Sequence, residues 1–155
     1  MNARHLHSST VRRDAGFTLI EALVALLILS IGLVGLAGLQ TLSMRNNYSA
    51  FQRSQAVLKA YDAMDRMRAN RATALAGGYN RSYGDAVPAQ TCNSTCNAAQ
   101  MAQSDEREWV TSLQRLPSGD GAITVASGVA TVRVRWDDDR NPATTPDEFR
   151  LDTQL

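Results

Sequence analysis

The sequence predicts an α+β fold in which one long N-terminal helix packs on a small antiparallel sheet. Three observations carry this expectation. No proline interrupts residues 17 to 76, and uncharged residues run from Ala22 to Met44. Near the other end, Ala130, Val132, Val134 and Trp136 alternate with Thr131, Arg133 and Arg135, the period-two pattern of a half-buried strand. Between them lies a polar segment rich in Gly and Asn that has no helical or strand period.

The apolar run comes first. At ~1.5 Å rise per residue, Ala22–Met44 makes a helix of roughly 34 Å, enough to cross a ~30 Å hydrocarbon core. Glu21 stands just ahead of that run, where a carboxylate is expensive. A secretory signal peptide would have a shorter apolar core followed by a cleavage site of small residues. Ala37-Gly38 resembles such a site, but the length of the run argues for a retained membrane helix. Arg12 and Arg13 on its N-terminal side favour a cytoplasmic N-terminus and an exported C-terminal part.

After Met44 the pattern turns amphipathic. Met44, Tyr48, Phe51, Leu58, Tyr61, Met64 or Asp65, then Met67 and Arg68 recur at helical spacings, and this half is expected to bury one such stripe, with the helix ending near Gly77-Gly78. Residues 77 to 96 read as a loop. A second helix is expected from Ala98 to Leu116, with Met101, Trp109, Leu113 and Leu116 on one face and Ser104, Asp105 and Glu106 favouring its first turns. Leu116-Pro117-Ser118-Gly119 stops it. Strands are expected at Ala122–Ala126 and Val129–Trp136 around a Ser127-Gly128 hairpin turn, with a third alternating run at Phe149, Leu151, Thr153 and Leu155.

With 155 residues the chain has room for one modest domain besides the apolar segment. Its formal charge is +1, and residues 1 to 16 carry Arg4, Arg12 and Arg13 against Asp14. The remainder is therefore near neutral and lacks the clustered basic surface of a nucleic-acid binder. Cys92 and Cys96 are the only cysteines. In an oxidising compartment they would pair, a short loop worth roughly 2 kcal/mol. Free thiols and a two-thiolate metal site are the alternatives, the latter short of ligands because His5 and His7 both precede the apolar run.

Arg12-Arg13-Asp14-Ala15-Gly16, then Phe17-Thr18-Leu19-Ile20-Glu21, then an apolar helix, resembles the leader of type IV prepilins and type II secretion pseudopilins. The resemblance implies a pilin-like fold, with residues 1–16 as leader, 17–44 as transmembrane and filament-core helix, and 45–155 as a periplasmic head. It also implies cleavage after Gly16 and methylation of the Phe17 amine by a membrane prepilin peptidase. The other partners it implies are major and minor pilins, the inner-membrane assembly machinery and membrane lipid. In the family, the glutamate corresponding to Glu21 is thought to attract the N-terminal amine of a neighbouring subunit. The rest of the chain looks closest to the minor pilins.

Other chemistry is scarce. Asp137, Asp139, Asn141 and Glu148 fall at positions 1, 3, 5 and 12 of a calcium-loop pattern, but Pro142 stands where the glycine is needed. Beyond residue 16 there is no histidine, no Gly-x-Ser-x-Gly elbow and no phosphate-binding loop. No catalytic residue, cofactor or resident metal is therefore expected.

Overall fold

The structure, a computed structural model, describes residues 16–138 and 144–155. The chain divides into two compact units, Met1–Met44 and Arg45–Leu155. The element order is α1 (Leu19–Ala69), α2 (Arg71–Leu75), α3 (Ala98–Leu113), β1 (Asp120–Ala126), β2 (Val129–Trp136) and β3 (Asp147–Gln154). This is the expected α+β arrangement of a long N-terminal helix and a three-stranded antiparallel sheet of order β1-β2-β3.

The expected continuous helix over residues 17–76 is shorter at its start and broken near its end. It begins at Leu19, after the capping residue Thr18, and stops at Asn70. Asn70 leaves helical geometry at φ −120°, ψ 48°, and its Nδ2 donates to the carbonyl of Ala98 at 2.7 Å. That bond holds the break against the start of α3. One further turn, α2, then closes on Gly77 at φ +82°, where a side chain would be strained. Gly78 N donates to Thr73 O and Gly77 N to Ala74 O, the paired bonds of a Schellman stop.

The buried stripe of α1 keeps Met64 and Met67 of the expected one and differs at the other positions. Within Arg45–Leu155 it consists of Gln52, Ala56, Ala60, Ala63, Met64 and Met67. Met44, Tyr48, Phe51, Leu58 and Tyr61 are exposed. The reason is the size of the opposing side chains. Trp109 is buried against α1 and its Nε1 donates to the Lys59 carbonyl at 2.8 Å, an approach to helix backbone that small residues permit. Tyr79, Leu113, Leu116, Ile123, Val132, Val134 and Trp136 complete the core.

Gln52 is an anomaly in that core: it is 2% exposed and neither amide atom has a hydrogen-bond partner. Orphaned buried polar atoms cost about 1–3 kcal/mol. Gln52→Leu is accordingly expected to stabilise the Arg45–Leu155 unit by about 1–2 kcal/mol, read as a higher melting midpoint by circular dichroism. A lower midpoint would mean that a bound water satisfies the amide.

Helix α3 starts at Ala98 as expected, but the acidic residues do not mark its first turns. Asp105 and Glu106 lie in its middle, Met101 is exposed, and the N-terminus is set by Asn97. Asn97 Oδ1 accepts from Gln100 N at 2.8 Å while Gln100 Oε1 accepts from Asn97 N at 3.1 Å, a reciprocal capping box. The helix ends at Leu113, and Gly119 is required soon after because a Cβ there would stand 2.1 Å from the Leu113 carbonyl oxygen.

The hairpin follows the sequence closely. Ser127 and Gly128 both have positive φ (52° and 79°), the type I′ geometry that matches strand twist. Along β2, Ala130, Val132, Val134 and Trp136 are buried and the intervening residues are not. Gly121 lets Trp109 and Leu113 pack directly on β1, since a Cβ there would lie 2.3 Å from the indole ring.

Candidate processing and assembly site

The first described residues are Gly16, Phe17 and Thr18, which precede α1. A Cβ added at Gly16 would meet nothing within 4 Å, and Phe17 is 78% exposed, so the Gly16–Phe17 peptide bond is open on both sides. Thr18 starts the helix: its carbonyl accepts from Ala22 N at 3.2 Å and its Oγ1 accepts from Glu21 N at 3.3 Å. Phe17 therefore stands outside the helix and does not share a helical face with Glu21. The physical cause is the cap, which needs non-helical backbone at Thr18.

Glu21 is exposed at the third helical position, where its charge meets the positive end of the helix dipole. Thr18-x-x-Glu21 is a capping-box pattern, a signal present in the sequence that the leader resemblance overshadowed. No other residue from Phe17 to Met44 is charged.

Beyond Glu21 the helix is exposed on every side through Met44. It is long and apolar enough to cross a membrane. Two of its hydroxyls turn inward to the backbone: Ser30 Oγ donates to Leu26 O at 2.7 Å and Thr41 Oγ1 to Ala37 O at 3.0 Å. These bonds remove two polar groups from an apolar surface. Gly32, Gly35 and Gly38 have open space where a Cβ would be.

The polar side chains of the Arg45–Leu155 unit serve to join its elements. Cys92 and Cys96 form a disulfide with Cα atoms 6.0 Å apart. Cys92 N donates to Ser104 Oγ at 3.1 Å, and Cys96 leads straight into the Asn97 cap, so the small loop is tied to α3 at both ends.

Arg81, which sequence reasoning missed, is the most buried charge among the described residues: its side chain is 1% exposed. Its guanidinium donates to Glu106 Oε1 and the Gly121 carbonyl, both at 2.9 Å, and to the Asp85 carbonyl at 3.2 Å. Burial pushes the Glu106 carboxyl above its ordinary range, and Arg81 opposes that shift. Tyr79 donates to Asp105 at 2.7 Å, and burial followed by this bond pushes its hydroxyl pKa up. Arg66 binds Asp62, Asp105 and Glu108. Tyr83 lies under Arg135, 4.1 Å from its ring centre, and donates to Glu148 at 2.7 Å.

Among the described residues no cluster of His, Cys, Asp and Glu could hold a metal ion. Asp139, Asn141 and Pro142 of the calcium-loop pattern, and the basic part of the leader at residues 1–15, lie outside the described residues.

Residues 11–37 match a family model described as the prokaryotic N-terminal methylation motif. No curated protein and no solved structure matches the chain. The matched motif runs from the leader into the exposed apolar helix, which fits membrane anchoring, and it implies processing by a prepilin peptidase and assembly with other pilins. The matched motif and the long N-terminal helix are similar to those of type IV pilins and pseudopilins that prepilin peptidase processes, and the match covers residues 11–37 alone.

Proposed function

We propose that this chain is a minor type IV pilin acting in pilus assembly and priming. In this reading residues 1–16 are a leader removed by prepilin peptidase, residues 17–44 anchor the protein in the inner membrane and later pack in the filament core, and residues 45–155 form a head in the periplasm. The new amine of Phe17 is methylated, and Glu21 pairs with the amine of a neighbouring subunit.

The observation that carries the reading is the methylation motif at residues 11–37, continuous with a helix whose apolar side chains have no cover. The short Cys92–Cys96 loop, the helix bearing Trp109, the Leu116-Pro117-Ser118-Gly119 stop and the strand ending in Trp136-Asp137-Asp138 resemble the type IV pilus modification protein, PilV. The disulfide closes a small loop ahead of the sheet, which argues against adhesion through a large C-terminal cysteine loop.

Intact mass of the protein recovered from membranes tests the processing step. The expected product begins at Phe17 and carries one methyl group, and Gly16→Leu retains the leader. A terminus at Met1 would sink the proposal and leave a single-pass periplasmic binding domain, and a cut after Ala37, which removes most of the apolar run, would sink it equally. A minor pseudopilin of type II secretion shares the same leader chemistry. Deletion separates the two: loss of twitching motility with exoprotein secretion intact is expected for the pilin, and the reverse for the pseudopilin.

A further inference from the structure

Strand β3 forms one edge of the sheet, and its open side carries a pattern complementary to itself. Leu155 N donates to Gly128 O at 3.0 Å, and the register sets Thr153, Leu151 and Phe149 opposite Ala130, Val132 and Val134. Alternation then directs the backbone N–H and C=O groups of Phe149, Leu151 and Thr153 toward β2, and those of Glu148, Arg150, Asp152 and Gln154 outward. Among the described residues nothing bonds to these outward backbone groups. The opposite edge differs: β1 is covered by a two-way bond between Ile123 and Arg81 and by Asn80 Oδ1 on Val125 N. No proline falls within residues 147–154, so every outward N–H can donate.

We propose that two copies of this chain join through antiparallel pairing of their β3 edges, with the two-fold axis at Leu151. This register sets Arg150 opposite the partner's Asp152, Asp152 opposite the partner's Arg150, and Glu148 opposite the partner's Gln154. It forms about eight backbone hydrogen bonds. Neighbouring registers fail on charge or overlap. Centring on Arg150 puts Arg150 against itself and Glu148 against Asp152, and like charges directly opposite are unfavourable. Centring on Asp152 opposes two aspartates. Centring on Phe149 pairs Glu148 with Arg150 but leaves only residues 147–151 in register, with Asp147 against Leu151.

The other face of the strand agrees with the same axis. Phe149, Leu151 and Leu155 pack on the core yet remain partly exposed. At the Leu151 axis the two Leu151 side chains meet in a non-hydrogen-bonded pair, the closer of the two antiparallel geometries, and Phe149 lies against the partner's Thr153. Arg150 and Asp152 bind each other within one chain at 2.8 Å on the exposed face, and Asp152 also accepts from Thr131 on β2, so both charges lie on the face that a second strand would extend. The pairing concerns the head alone and needs neither leader cleavage nor a filament.

Full-length protein in detergent micelles, followed by sedimentation, tests the idea. The wild type is expected to dimerise, and Arg150→Asp or Asp152→Arg alone should each weaken association at least tenfold by opposing like charges. An equimolar mixture of the two variants should restore it, because each then meets its complement. Leu151→Cys should yield an oxidised covalent dimer, and Phe149→Cys much less, since only Leu151 faces its own copy. A monomeric wild type without the Leu151→Cys cross-link would overturn the proposal. So would a dimer indifferent to Arg150→Asp, which would locate the contact in the apolar helix.

Discussion

Arg81→Met is expected to lower the stability of the head by about 3–5 kcal/mol, because it removes a buried guanidinium and leaves its partners unpaired. For a unit of this size that is a fall in melting midpoint of roughly 15–25 °C, measurable by circular dichroism. The partners left behind are the Gly121 and Asp85 carbonyls and Glu106, whose side chain is 13% exposed. The loss should depend on pH. Burial raises the Glu106 carboxyl above its ordinary value of 4.5, with Arg81 pulling it back down. Without Arg81 the shift grows. A carboxyl with a raised pKa in the folded state binds more protons folded than unfolded, so its stability contribution is complete below the ordinary value and is lost as pH rises through the folded one. The gap between variant and wild type should therefore narrow as pH falls toward 4.5. Adding Glu106→Leu should recover about half of the neutral-pH loss, leaving about 1–3 kcal/mol for the orphaned carbonyls. A variant within about 1 kcal/mol of wild type at pH 7 would show that water replaces the guanidinium.

Arg81 also marks the limit of what the chain discloses before folding. Strand β2 was legible because its period is set by four residues in a row of eight, and Ser127-Gly128 names its turn by backbone chemistry alone. The methylation motif at residues 11–37 was legible because its pattern is contiguous and precedes an uninterrupted apolar run. Arg81 sits in an aperiodic loop, and its partners at residues 85, 106 and 121 come from three separate segments, so nothing local distinguishes it from a solvated arginine. The stripe of α1 was misread for a related reason. Weight given to large side chains favoured Tyr48, Phe51, Leu58 and Tyr61, whereas the bulk filling that interface comes from Trp109 and Tyr79 across it, and the helix supplies alanines. The Asn97–Gln100 and Thr18–Glu21 caps, by contrast, were readable from spacing alone.

The Thr18 cap changes how Glu21 must be tested. Glu21→Ala is expected to leave cleavage after Gly16 largely intact, because the scissile bond lies outside α1, and to cut incorporation into sheared pili by about tenfold or more. An unpaired carboxylate within a bilayer costs on the order of 2.5–3.5 kcal/mol, and pairing with the Phe17 amine of a neighbouring subunit would offset much of it. The position nonetheless offers Glu21 a local role, since a side chain three residues after a capping threonine can return a hydrogen bond to the cap and meets the helix dipole. Those contributions amount to about 0.3–1 kcal/mol and act within one chain. Glu21→Gln separates the roles: it keeps the reach toward the Thr18 backbone and abolishes the charge. Charge pairing between subunits predicts that Gln fails as Ala does, with helix content and cleavage unchanged in both. Incorporation of the Gln variant at the wild-type level, with only Ala impaired, would assign Glu21 to the cap instead and remove the electrostatic step from assembly.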